Sequence, residues 1–274
     1  MLKSKKYSGL SRQQTDSWND VGVLVLENLF SKREMKIARK GLDDMWESRQ
    51  KGDNPLVIDV NLNGSAKRKM FRDADDSERE NVYKLNDAFL SYSAIRDLAL
   101  ADRLTDVLSE LADGEVCICN SLHFERGSQQ ALHVDTFYMP PPANGRLIVA
   151  SICLEDVTVD AGPLNYVRNS HCIPPFLNSD GGRNVRSPQE QEQANWYYKS
   201  AIRDRGLPEE TFLGRAGDVI IWHEQLVHGG SPILDLSKTR KSLVIHYWRA
   251  AEMEPASFLP HRGGFYMNRP HPTV

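Results

Sequence analysis

The chain has 274 residues, of which 40% are apolar and 26% charged, and its formal net charge is −3. This balance is typical of a soluble globular protein, and the small negative charge gives no reason to expect a nucleic-acid or membrane-surface partner. No apolar run approaches the roughly 18 residues that a membrane helix needs. The basic N-terminus is not followed by an apolar stretch, so we do not expect a secretory signal there. We therefore expect a cytoplasmic protein whose four cysteines remain reduced thiols.

The first part of the chain, about residues 10–114, is predicted to be mainly helical. Ser31 and Glu34 form a capping box, in which each side chain satisfies a free backbone amide at the start of a helix. Apolar residues recur at helical spacing behind this box and again between Ile95 and Leu111. Before the box, residues 21–26 form a short apolar run typical of a strand.

From about residue 115 to 250 the pattern changes to short β-type runs that are separated by turn residues. Many short strands at this spacing are typical of a sandwich or barrel. Residues 178–208 interrupt them as a long, polar, irregular segment with an aromatic cluster at 196–198. That cluster is either a lid over a site or a local packing cluster. With a C-terminal tail at 251–274, the whole chain is predicted to be one domain.

Two imidazoles and one carboxylate in the β-type region suggest a metal site. His133 and Asp135 are two residues apart on a predicted strand, so both side chains point to the same face. His228 follows the apolar run 219–222. Two histidines and one carboxylate form the facial triad of non-haem Fe(II) oxygenases, which leaves coordination positions open for other ligands. The His133–Asp135 pair alone is a weak signal, because such pairs are common.

Arg240 strengthens this interpretation. It opens a predicted strand twelve residues after His228, and Ser242 shares its face of that strand. A guanidinium in this position can bind a carboxylate through two charge-assisted hydrogen bonds. A dicarboxylate that chelates the metal at one end needs such a group at its other end.

The sequence resembles the phytanoyl-CoA dioxygenase group of Fe(II)/2-oxoglutarate oxygenases over most of residues 15–250. The segments that carry the resemblance are 20–26, 127–136, 154–156, 160–164, 217–223 and 239–247. The resemblance implies a mainly β fold, a double-stranded β-helix (a cupin-like jelly-roll), with the N-terminal helices packed on it. It also implies that His133, Asp135 and His228 bind Fe(II), and that Arg240 binds the distal carboxylate of 2-oxoglutarate.

Further site residues are expected on the same basis. His123, Gln130 and Ser242 are candidates for contacts with 2-oxoglutarate, and Thr136, Phe137 and Tyr138 are candidates for contacts with substrate. His246 shares the strand face of Arg240 by even spacing, so it could line the barrel.

The resemblance implies that the enzyme uses O2 to hydroxylate an unactivated C–H bond while 2-oxoglutarate becomes succinate and CO2. Asp135 favours hydroxylation, or a related desaturation or ring closure, because halogenating relatives lack this carboxylate. No basic cluster for coenzyme A is evident, so we expect a small polar metabolite as substrate. The alternatives are a cupin-like metal-dependent isomerase or hydrolase without 2-oxoglutarate, or a non-catalytic metabolite-binding relative.

Overall fold

The computed structural model describes residues 9–62, 64–143 and 146–274. Five α-helices lie in these ranges: α1 (Arg12–Val21), α2 (Lys32–Glu47), α3 (Ser93–Ala99), α4 (Asp102–Ala112) and α5 (Pro188–Arg205). The strands are β1 (Val23–Leu26), β2 (Val57–Val60), β3 (Lys67–Met70), β4 (Lys84–Asn86), β5 (Val116–Phe124), β6 (Leu147–Cys153), β7 (Leu164–Val167), β8 (Glu209–Phe212), β9 (Val219–His223), β10 (His228–Gly230), β11 (Ser242–Arg249), β12 (Phe258–His261) and β13 (Gly264–Met267). No helix in these described ranges is both long and apolar enough to cross a bilayer.

The strands form two sheets. The larger one has the order β1-β9-β6-β11-β5-β4-β2-β3, and the β12–β13 hairpin joins it beside β5. The smaller one has the order β10-β7-β8. All pairs are antiparallel except β13 with β5. This is the mainly β architecture with a helical layer that the sequence predicts.

The two faces of the large sheet have different partners. On β11, Leu243, Ile245 and Tyr247 belong to the main core, in which the helical layer packs through residues such as Met35 and Leu104. Because side chains alternate along a strand, Ser242, Val244 and His246 point to the other face, toward the small sheet. A second apolar cluster lies there and joins Val149, Trp222 and Tyr166. The candidate site is therefore positioned between the two sheets.

The capping box at the start of α2 is confirmed. The Glu34 amide donates to Ser31 Oγ at 3.2 Å, and the Ser31 amide donates to Glu34 Oε2 at 2.8 Å. The helix then buries four side chains, Met35, Leu42, Met45 and Trp46, in the main core. A cap of this kind contributes about 1 kcal/mol, so most of the stability of α2 comes from the buried face.

Two sequence predictions differ from the structure. Within the part predicted to be mainly helical, β2, β3 and β4 extend the large sheet, and their charged residues interrupt the apolar alternation that identifies strands. Residues 188–205, predicted to be irregular, form α5, which Ser187 caps and Gly206 ends in a left-handed conformation. Only Ala194 and Tyr198 are buried along this helix, so it carries no apolar stripe that the sequence could reveal.

Candidate metal centre and adjoining cavities

His133, Asp135 and His228 meet between the two sheets. All three are buried, and one potential ligand atom from each lies within 4.8 Å of the others. The backbone holds the two histidines together, because His133 donates its amide to the His228 carbonyl at 2.9 Å and receives the reciprocal bond at 3.0 Å. The residue set predicted as metal ligands is thus brought to one point by β10 and the segment that pairs with it.

Each histidine is oriented by a backbone carbonyl. His133 Nδ1 lies 2.8 Å from the Ala131 oxygen, and His228 Nδ1 lies 3.0 Å from the Leu226 oxygen. A carbonyl oxygen only accepts hydrogen bonds, so in each ring the proton is on Nδ1. Nε2 of each ring is therefore the atom left to bind a metal ion, which is the arrangement that second-sphere contacts impose on metal-binding histidines.

Asp135 has a fixed partner on one carboxylate oxygen. Trp222 Nε1 donates to Oδ2 at 2.7 Å, while Oδ1 lies 3.4 Å from His246 Nε2 and 3.7 Å from His228 Nε2. Burial would raise the pKa of Asp135, but the neighbouring imidazoles lower it more strongly, and the carboxylate stays ionised. Burial, and then the neighbouring His228 ring, lowers the pKa of His133 to about 3, so the His133 ring is neutral. An anionic oxygen beside two imidazole rings is a donor set suited to a divalent cation.

Trp222 was not predicted as a functional residue. Its contact with Asp135 depends on the register of β9 against β6, which places Trp222 opposite Val149 on the site-facing side of the sheet. His246 was expected to line the barrel, and it does so next to Asp135.

Arg240 is buried and lines a small cavity of about 60 Å³ that the three metal-ligand candidates also line. Burial lowers the pKa of its guanidinium to about 10. No carboxylate within the described ranges pairs with it, and its Nε has no hydrogen-bond partner there. Ser242 Oγ and His246 Nδ1 are likewise buried without partners among the described residues. An unpaired buried charge is costly, so these three groups fit a carboxylate ligand placed between Arg240 and the metal centre.

His123 does not reach this cavity. On β5, it pairs with Leu243 of β11 and faces the helical layer, where its ring lies 6.3 Å from the Tyr83 ring between centroids. The expected contact with 2-oxoglutarate is therefore not made, because strand alternation turns His123 away from the side chains of Ser242 and Arg240. Gln130, by contrast, lines both the small cavity and a larger one beside it.

Of the three residues expected to face substrate, only Tyr138 lines the larger cavity, whose volume is about 460 Å³. Thr136 is buried and accepts a hydrogen bond from Gln225 Nε2 at 2.7 Å, and Gln225 Oε1 accepts one from the Tyr198 hydroxyl at 3.0 Å. Phe137 packs on the Tyr198 ring at 5.8 Å in a third apolar cluster. The short 3-10 turn Asp135–Phe137 directs these two side chains away from the cavity, which corrects the prediction.

The same contacts decide between the two interpretations of the aromatic cluster at 196–198. Tyr198 is buried behind the metal-ligand segment, whereas Trp196 is exposed on the opposite side of α5. The helix supports the site from behind, so the local packing interpretation is the one that the contacts favour.

Comparison with known proteins identifies the family of the chain and establishes its fold. The sequence profile of the phytanoyl-CoA dioxygenase (PhyH) family matches residues 18–241. No curated protein sequence matches the chain. The solved structure of SnoK, a non-haem α-ketoglutarate-dependent carbocyclase from nogalamycin biosynthesis, aligns with a TM-score of 0.66 at 19% identity, over 88% of this chain and 85% of SnoK.

Two further structures align over similar lengths. EctD from S. alaskensis, solved with 2-oxoglutarate and 5-hydroxyectoine, has a TM-score of 0.63 at 18% identity over 98% of this chain and 88% of EctD. The epimerase SnoN, solved with Fe3+, α-ketoglutarate and nogalamycin RO, has a TM-score of 0.62 at 18% identity over 96% and 94%. Likeness at this level of identity establishes the fold, and the jelly-roll prediction is confirmed.

Proposed function

The chain belongs to the phytanoyl-CoA dioxygenase (PhyH) family, and on this premise we propose that it is an Fe(II)- and 2-oxoglutarate-dependent dioxygenase acting on a small metabolite. Its reaction would hydroxylate an unactivated C–H bond while 2-oxoglutarate is converted to succinate and CO2. The observation that carries the proposal is the pairing, in one small cavity, of the His133, Asp135 and His228 cluster with the unpaired guanidinium of Arg240.

His133, Asp135 and His228 would hold the iron. When bound, Fe(II) supplies the redox chemistry that couples O2 to oxidation of a C–H bond. The chain's own contribution is orientation, since the Ala131 and Leu226 carbonyls fix the imidazoles and Trp222 fixes the carboxylate. These contacts keep Nε2 of both rings and Oδ1 of Asp135 available at one point.

Arg240 would bind the distal carboxylate of 2-oxoglutarate. Arg240 is buried, which would keep water away from the salt bridge, and the Ser242 hydroxyl, also buried and without a partner among the described residues, would supply a further hydrogen-bond donor. A guanidinium without a partner supports a dicarboxylate co-substrate over the cupin-like alternatives, because an isomerase or hydrolase has no use for a charge at this place.

Hydroxylation is the outcome that we favour, because Asp135 is present and a carboxylate occupies the position that a halogenating enzyme leaves free for chloride. The fold itself does not select the outcome, since similar structures include a carbocyclase and an epimerase. Free thiols at Cys117, Cys119, Cys153 and Cys172 are compatible with the cytoplasm, the compartment that we propose.

The test is formation of succinate from 2-oxoglutarate with Fe(II), ascorbate and O2, measured with and without a panel of small metabolites. We expect slow succinate formation without substrate, faster formation with a true substrate, and none in the D135A and H228A variants. Product mass then separates the outcomes, because hydroxylation adds one oxygen atom, whereas desaturation and ring closure remove two hydrogens. Turnover by the wild type that D135A and H228A retain in full would reject the assigned metal centre.

A further inference from the structure

The larger cavity leads directly to the candidate metal centre. It shares Gln130, His133, Asp135 and His246 with the small cavity, and its volume of about 460 Å³ is sufficient for a small metabolite. Part of its wall comes from β3 and β4 of the sheet extension, the part of the chain in which the sequence predicted helices. A substrate beside the metal would lie in this cavity.

Three charged residues form a row across that wall. Asp59 on β2 stands directly opposite Arg68 on β3 and opposite Lys84 on β4. Arg68 binds Asp59 through Nε at 2.7 Å and Nη2 at 3.0 Å, and Lys84 Nζ lies 3.5 Å from the second carboxylate oxygen. Two cations share one carboxylate, so the row carries one uncompensated positive charge.

The row faces the cavity. Arg68 and Lys84 both line it, whereas Asp59 is buried behind them. The bidentate contact uses Nε and Nη2 of Arg68, which leaves Nη1 available to a ligand. Among the described residues that line the cavity, the only carboxylate is Asp135, which belongs to the metal centre. The electrostatic field at this wall therefore favours an anion.

Asn120 adds a second polar requirement. Its Nδ2 donates to Asp87 at 3.1 Å, but its Oδ1 is buried and has no hydrogen-bond partner among the described residues. Asn120 lines the same cavity, opposite His246 in the β5–β11 pair. A buried acceptor without a donor costs free energy, and an N–H or O–H group of a ligand would satisfy it.

We propose that the substrate is a small anionic metabolite whose oxyanion, a carboxylate or a phosphate, is bound by Arg68 and Lys84. A hydrogen-bond donor on the same molecule would pair with Asn120, and the reacting carbon would lie near His133 and Asp135. Lys84 is two strands away from β11, which corresponds to roughly 10 Å at ordinary strand spacing. The oxyanion is thus at the far end of the substrate from the reacting carbon. This inference rests on the proposed function for the identity of the ligand as a substrate.

The anion site can be tested without knowledge of the substrate, with inorganic phosphate and acetate as probes in isothermal titration calorimetry of the metal-free protein. We expect measurable phosphate binding in the wild type that R68Q and K84Q each weaken by about fivefold or more. D59N should strengthen it, because both cations lose their partner. Acetate binding that follows the same order of variants would assign a carboxylate site, and phosphate binding alone would assign a phosphate site.

Two control variants make the result specific. K67Q removes the same charge from the same strand, but Lys67 points to the opposite face and does not line the cavity, so phosphate binding should stay within twofold. R240Q should also retain phosphate binding, since Arg240 lies in the other cavity. Absence of both phosphate and acetate binding in the wild type, loss of binding in R240Q alone, or equal effects of K67Q and R68Q would each overturn the proposal. None of these readouts depends on succinate formation, so failure of the proposed function would be seen separately.

Discussion

The hydrogen bond from Trp222 to Asp135 gives a sharp test of the metal centre. Trp222→Phe keeps an aromatic ring in the core but removes the indole N–H that donates to Oδ2 at 2.7 Å. Asp135 is buried, so the freed oxygen cannot recover the bond from bulk water. A hydrogen bond to a charged group is worth about 1.5–3 kcal/mol, which corresponds to a loss of metal affinity of about 10- to 100-fold.

The assay is anaerobic Fe(II) titration, with Co(II) as a spectroscopic substitute, together with thermal unfolding. Trp222 is buried in the second apolar cluster, and the smaller ring should cost about 1 kcal/mol of stability through the cavity that it leaves. A lower melting temperature alone is therefore not evidence for the hydrogen bond. The matched control is Trp248→Phe, because Trp248 Nε1 is buried without a hydrogen-bond partner among the described residues.

We expect W248F to bind metal as the wild type does and W222F to bind it at least tenfold more weakly. If W222F retained wild-type affinity within twofold, the argument that Trp222 orients and stabilises the ligand carboxylate would be refuted. The same conclusion would follow if both variants lost affinity equally, since the effect would then come from ring size and not from the N–H group.

Two further predictions follow from buried titratable side chains. Arg240→Met should weaken 2-oxoglutarate binding by about 30-fold or more in calorimetry, yet leave the melting temperature without ligand equal or higher, because it removes an unpaired buried charge; unchanged 2-oxoglutarate affinity would contradict the assignment. Burial lowers the pKa of His123 from 6.5 to about 4, so the unfolded chain binds more protons and stability is lost as pH falls from about 6.5 toward 4. We therefore expect the wild type to lose more of its free energy of unfolding between pH 7 and pH 5 than His123→Asn does, by roughly 1–2 kcal/mol, as measured by urea unfolding. Equal losses in the two proteins would contradict burial of a neutral ring.

Much of the candidate site could be predicted because its residues occur in short, regularly spaced sequence patterns. His133 and Asp135 lie two residues apart, and Arg240 and Ser242 repeat that spacing, which made them candidates; the resemblance to the phytanoyl-CoA dioxygenase group then supplied their expected roles. Spacing fails for His123, since it does not say which face of a strand meets the cavity. That choice is made by the β5–β11 register, which pairs His123 with Leu243.

The missed elements share a physical cause. The strands β2–β4 carry Asp59, Arg68 and Lys84 on one face, and α5 buries only two side chains, so neither segment displays the periodic apolar pattern from which elements are recognised. Thr136 and Phe137 were misplaced because a 3-10 turn that begins at Asp135 replaces the predicted strand. The structure is decided there by long-range pairing and packing, which a single sequence does not display.

The reciprocal backbone bonds between His133 and His228 have a consequence for how the proposed metal would enter the protein. They join two distant chain segments through main-chain atoms, so the three candidate ligands are held together without help from an ion. Binding and loss of the proposed ion would then not require the chain to fold or unfold. We therefore expect that a chelator can empty the site while the fold stays intact, and that the emptied protein can be loaded again.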